Sequence, residues 1–95
     1  MITTKQKCHL RSLAQKIKPV FQIGKDGITD NMKTDILAYL RKNELMKVSL
    51  LQNASITKEE ACAEFEALDI FVVQTIGRTI VLYKASDVAK NPIVF

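Results

Sequence analysis

Lys18-Pro19-Val20-Phe21-Gln22-Ile23-Gly24-Lys25-Asp26-Gly27 is the stretch whose reading decides the fold. Pro19 lacks an amide hydrogen and ends the helix before it. Val20–Ile23 is a short β-favouring run. Gly24 and Gly27 bracket two polar residues, which reads as a turn. A helical pattern starts just beyond. Helix stop, strand, turn and new helix follow one another within a few residues, so helices and strands alternate along this chain.

Working outward, Thr3 and Gln6 form a capping box that opens a first helix from about Thr4 to Lys18. Leu10, Leu13, Ala14 and Ile17 repeat at helical spacing and make its apolar face. A second helix starts near Thr29 or Asp30 and ends near Asn43, with Met32, Ile36, Tyr39 and Leu40 inward and Arg41 and Lys42 in the last turn, where the helix dipole favours cations. Leu45–Leu51 reads as a second strand. Thr57 with Glu60 opens a third helix through about Leu68, with Ala61, Phe65 and Leu68 inward and Cys62 at the edge. Ile70–Ile76 and Thr79–Lys84 are β-rich, and Gly77-Arg78 between them suits a two-residue hairpin with glycine first. The expected architecture is α/β, of the α+β two-layer type, in the order α-β-α-β-α-β-β. Strand–helix–strand links give parallel pairing and the final hairpin adds an antiparallel strand, so one four-stranded mixed sheet results. Residues 1–86 form one domain, and residues 87–95 read as a tail.

The composition suits such a domain: 95 residues, 47% hydrophobic and 25% charged. The net charge of +4 is mild, but its distribution is uneven. Residues 1–25 hold six bases and no acids, residues 26–69 hold five bases and nine acids, and residues 70–95 are net +2. A one-sided basic patch fits a polyanion such as nucleic acid, while a solvated basic helix gives the same pattern. Cys8 and Cys62 are far apart and His9 is the single histidine, so neither a zinc site nor a disulfide framework is indicated. Both thiols are expected free in a reducing, cytoplasmic setting. No apolar run approaches the roughly 20 residues of a membrane span, and no signal-peptide core follows Met1.

No nucleophile–base pair or Walker-type loop is present, and His9 has no carboxylate beside it in sequence. The expectation is a non-enzyme with no cofactor and no metal. The Gly24–Gly27 turn is the candidate site. It leads from a strand to a helix N-terminus, where amides carry partial positive charge. Its glycines let a phosphate come close, and Lys25 adds a full charge, as a GxxG loop does when it clamps an RNA backbone. An ordinary strand-to-helix turn has the same sequence. At about 100° per residue, Lys7, Arg11 and Lys18 make one stripe on a flank of the first helix, with Lys5, Lys16 and His9 elsewhere. Arg78 at the hairpin tip is a further phosphate contact or a solvated arginine. Tyr39 and Tyr83 read as packing residues, since no exposed aromatic pair of the base-stacking kind is evident.

Taken in order, these blocks resemble the YhbY-like family, the stand-alone bacterial form of the CRM domain. Lys5-Gln6-Lys7 and Leu10-Arg11-Ser12-Leu13-Ala14 match its opening helix, and Lys18 to Gly27 matches its central signature. Glu44-Leu45-Met46-Lys47-Val48 matches its second strand, and Gln74 to Lys84 its closing hairpin. The resemblance implies a fold like the C-terminal domain of bacterial translation initiation factor three, with strand order 1-2-4-3. It also implies RNA binding, specifically ribosomal RNA in precursors of the large ribosomal subunit, and the expected state is a monomer. The family's GxxG contact maps onto Gly24, Lys25, Asp26 and Gly27. Two departures stand out. Asp26 is acidic, which leaves a phosphate to Lys25 and backbone donors. Asp69-Ile70-Phe71 replaces a small Thr-Gly-Ala-like turn, so the exit from the third helix is expected to differ locally. The competing reading is a protein-interaction adaptor whose basic helix is merely solvated.

Overall fold

Side-chain caps fix where the helices begin. In the computed structural model, which describes residues 3–86, the Thr3 hydroxyl accepts the Gln6 N–H at 3.1 Å and the Gln6 side chain accepts the Thr3 N–H at 3.0 Å. Thr57 and Glu60 repeat the arrangement at 3.1 and 2.9 Å, and Thr29 accepts the Met32 N–H at 3.1 Å. Each such cap stabilises its helix by about 1 kcal/mol. Behind them run α1 (Thr4–Ala14), α2 (Asp30–Asn43) and α3 (Lys58–Ala67). Residues 87–95, expected as a tail, lie outside the described residues.

α1 stops four residues short of the expected Lys18. The Lys16 and Ile17 amides bond back to Leu13 and Ala14, a tightened i→i+3 pattern, and the chain then leaves the helix. Pro19 explains this, because its ring also bars the residue before it from helical geometry. Val20 N–H then bonds the Lys47 carbonyl at 3.0 Å, which draws the chain into the sheet. Lys18 therefore belongs to a connector and not to the helical stripe of Lys7 and Arg11.

The strands are β1 (Phe21–Ile23), β2 (Leu45–Leu50), β3 (Phe71–Ile76) and β4 (Thr79–Tyr83), in the spatial order β1-β2-β4-β3. β1 pairs with β2 in parallel, and β2–β4 and β4–β3 are antiparallel, so the mixed sheet and its order are as expected. Successive side chains point to opposite faces. On one face Ile23, Met46, Val48, Ile80 and Leu82 meet Ile36 and Leu40 of α2 and Ala61 and Phe65 of α3 in the larger core. On the other, Leu45, Val73, Val81 and Tyr83 meet Leu10 and Ala14 of α1. The body is thus a sheet backed by two helices, with α1 laid on the opposite face. The element order alone does not reveal that split. Tyr39 packs edge-on against Phe21 with centroids 6.4 Å apart, and Tyr83 is buried, so both tyrosines serve packing.

Two junctions use left-handed backbone without glycine. Asp69 ends α3 at φ 65°, with its N–H on the Glu66 carbonyl and the Ile70 N–H on Phe65, the capping pattern usually closed by glycine. Asp69-Ile70-Phe71, where a different exit was expected, closes the helix in this glycine-type geometry with an aspartate, which tolerates left-handed backbone better than most residues. Glu44 ends α2 at φ 62° and is buried. Its carboxylate accepts the Ser86 N–H at 2.7 Å and its carbonyl accepts the Lys84 N–H at 2.9 Å, which ties the segment after β4 to the α2–β2 junction.

The hairpin turn has positive φ at Gly77 (57°) and not at Arg78, as a II′ turn requires. A Cβ on Gly77 would meet nothing within 4 Å, so substitution strains the backbone without a clash. Gly77→Val is expected to lower stability by about 1–3 kcal/mol, Gly77→Asn by less, and Arg78→Ala by under about 0.5 kcal/mol. Urea denaturation checks this, and an unchanged midpoint for Gly77→Val contradicts the turn.

Cys8 is exposed on α1 and Cys62 is half-buried on α3, on opposite sides of the sheet, and both are free. Burial raises the Cys62 thiol pKa, and Glu66 and Glu59 raise it further against a smaller opposing effect of Lys58. Less thiolate near neutral pH means slower reaction. Cys8 is expected to react with a thiol reagent much faster than Cys62 in the native protein, by stopped-time mass spectrometry. Equal rates, or a Cys8–Cys62 disulfide, contradict this placement.

Candidate nucleic-acid interface

One end of the sheet gathers most of the candidate residues. Leu51 N–H bonds the Ile23 carbonyl at 2.9 Å, and Leu50 N–H bonds the Arg78 carbonyl at 2.7 Å. Gly24 and Arg78 therefore flank the end of β2, two inter-strand spacings or about 10 Å apart. Gly24 and Arg78, 54 positions apart in sequence, reach the same edge because β2 pairs with both β1 and β4.

The Gly24–Gly27 turn is closed by its own backbone. Gly27 N–H bonds the Gly24 carbonyl at 3.0 Å, and Ser55 N–H shares that carbonyl at 3.3 Å. Lys25 and Asp26 stand exposed at the tip, while Gly27 is buried. The two glycines have different roles. Gly27 holds φ +67°, and a Cβ there would meet Ser55 Oγ at 3.2 Å. Gly24 has no such φ, and a Cβ would sit at an ordinary 3.6 Å from Leu51. The loop thus leaves the Lys25–Asp26 tip open to solvent, with Gly24 half-buried and Gly27 buried. The start of α2 is also less open than expected: Ile28 and Thr29 intervene, Thr29 occupies the Met32 amide, and Asp30 puts a negative charge in the first turn.

Lys7 and Arg11 lie away from this loop, on α1. Leu13 and Lys16 face a cleft they share with Asn43 and Leu45, at the end of the sheet remote from the hairpin. On a helical wheel Lys7 and Arg11 fall on the opposite flank. They therefore border the half of the sheet that leads towards Gly24 and Arg78. Lys18 is exposed two residues before Val20, whose N–H bonds the Lys47 carbonyl. The acids collect elsewhere: Glu59, Glu60, Glu64 and Glu66 ride on α3 across the sheet, where Glu64 pairs with Lys33 at 3.8 Å.

Among the described residues no group of three His, Cys, Asp or Glu side chains is placed to hold a metal, and no helix is long and apolar enough to cross a membrane. Sequence reasoning missed Leu51 and the polar strand residues Gln22, Lys47 and Ser49. Only the register shows which face they share.

The family pattern of the CRS1 / YhbY (CRM) domain matches residues 2–84. The chain belongs to this family. It is 48% identical over 92 residues to the "Probable RNA-binding protein YqeI" of Bacillus subtilis, covering 96% of each chain. It is 36% identical over 90 residues to an "RNA-binding protein" of Haemophilus influenzae, covering 94% of this chain and 91% of that one. The solution structure of the hypothetical protein SAV1595 from Staphylococcus aureus superposes with a TM-score of 0.75 at 48% identity, covering 92% of each chain. As a CRM domain, the chain uses GxxG glycines of unequal structural weight. Gly27→Ala is expected to cost about 1–3 kcal/mol through its backbone conformation, whereas Gly24→Ala folds with a loss under about 0.5 kcal/mol. Thermal melts of the two variants check this, and equal losses contradict it.

Proposed function

We propose that this CRM domain binds RNA, specifically ribosomal RNA in precursors of the large ribosomal subunit, and acts in ribosome assembly as a cytoplasmic monomer. The observation that carries the reading is the shared edge at which Gly24–Gly27 and Arg78 meet, continued by Lys18 and by the Lys7–Arg11 flank of α1 on the sheet face turned away from the acids of α3. Lys25, Arg78, Lys7, Arg11 and Lys18 supply the positive charge, and Gly24 gives a phosphate access to the backbone. Asp26 at the same tip is acidic, which leaves the phosphate to Lys25 and backbone donors. The names of the Bacillus and Haemophilus relatives support RNA as the partner.

Phosphate contacts release counterions, so affinity falls with salt in proportion to their number. Lys25→Ala removes one contact. It is expected to weaken binding to all RNA sequences alike and to lower the slope of log affinity against log salt by about one unit. The triple variant Lys7→Ala/Arg11→Ala/Lys25→Ala, shown folded by circular dichroism, is expected to leave large-subunit precursors on sucrose gradients. Undiminished co-sedimentation contradicts this surface and favours a protein-docking adaptor.

A further inference from the structure

α1 covers only one end of its sheet face, and the uncovered half has a composition of its own. The register places Gln22, Ser49, Thr79 and Ile76 side by side across all four strands. The next row towards α1 holds Lys47, the buried Val81 and Gln74, with Val20 at its edge. Neither row contains a carboxylate. Among the described residues the exposed large apolar side chains are Val20 (45%), Leu51 (39%) and Ile76 (53%). Strand alternation puts Ile76 on this face beside the polar row, and Val20 and Leu51 lie just beyond the ends of β1 and β2.

We propose that this open half-sheet is a floor that reads the bases of a single-stranded RNA segment. The proposal rests on the RNA-binding reading above and goes beyond the phosphate contacts of the loop. Gln22 and Gln74 each present an amide donor and acceptor, the pair that reads a base edge with two hydrogen bonds. Ser49 and Thr79 add hydroxyls that serve as donor or acceptor. Ile76, Leu51 and Val20 offer apolar contact to base faces. Lys47 lies within the floor, and Lys18, Lys25 and Arg78 border it, so phosphates find cations on its rim.

The chemistry selects this occupant. A protein partner is met by aromatic and methionine-rich patches depleted in lysine, and no large aromatic is exposed among the described residues. The major groove of an RNA duplex is too deep and narrow for a sheet about 14 Å wide, and its shallow minor groove is recognised mostly by shape, 2′-hydroxyls and phosphates, which gives amide side chains little sequence to read. Unpaired bases can splay onto such a surface. Without a stacking aromatic, the floor contributes discrimination more than affinity, and the loop and lysines supply the grip.

The test is fluorescence anisotropy with short labelled homopolymers of A, C, G and U and an RNA duplex of the same length, each at several salt concentrations. Wild type is expected to favour single strands over duplex and to spread the four homopolymers over about tenfold in affinity. Gln22→Ala/Gln74→Ala, with an unchanged melting curve, is expected to compress that spread to about twofold and leave the salt slope as it was. Gln22→Ala alone, at an exposed position, gives the same readout if the double variant is unstable. A folded variant that keeps the full spread, a wild type that binds the four alike, or a duplex bound as tightly as single strands overturns the floor and leaves this face to a protein partner. A wild type that binds none of the probes instead overturns the RNA reading beneath it, while Lys25→Ala reports on the loop independently of the floor.

Discussion

β2 pairs in parallel with β1 on one side and antiparallel with β4 on the other. That double pairing forces the C-terminal end of β1, the C-terminal end of β2 and the β3–β4 turn to the same edge. The Leu51–Ile23 and Leu50–Arg78 backbone bonds are its last rungs there. Remove it, and Gly24–Gly27 and Arg78 have no reason to be neighbours. The alternation of β2 also sorts Met46 and Val48 into the larger core and leaves Lys47 and Ser49 on the far face. One strand thus fixes both the edge that carries the loop and the floor beside it.

The open floor follows from the length of α1. Eleven residues make a helix about 16 Å long, enough to cross β2, β4 and β3, but a helix is only about 10 Å wide. It seals one end of strands that run about 17–20 Å and leaves the other end bare. The larger core needs no such economy, because α2 and α3 lie side by side there and both insert aromatic or branched side chains. Stability is therefore concentrated on one face, and the other is left to polar side chains that the core does not require. The buried Glu44, with its bonds to the Lys84 and Ser86 amides, ties those two residues to the α2–β2 junction at the remote end of the sheet.

Much of this was legible in the chain itself. The capping threonines, Pro19 and the Gly77-Arg78 turn act locally, so their neighbours in sequence suffice to read them. Lys18 was misread because its helical spacing fits the stripe of Lys7 and Arg11. The preceding-residue effect of Pro19 and the Val20–Lys47 bond override that spacing. The unequal roles of Gly24 and Gly27 were hidden because they depend on Ser55 and Leu51, which arrive from a distant loop. Glu44 gave no signal, since a left-handed helix end is usually glycine. The floor was the least visible feature, because Gln22, Ser49 and Gln74 look like ordinary polar strand residues until the register sets them in rows.

The central claim is that RNA occupies the loop edge and the α1 side of the sheet. Amide chemical shifts of the labelled protein, followed by NMR during titration with a single-stranded RNA, test it most directly. Perturbations are expected at Gln22, Gly24, Lys25, Ser49, Arg78 and Thr79, with the outer surfaces of α2 and α3 silent. Perturbations confined to α2 and α3, with the loop and the floor unmoved, would contradict it.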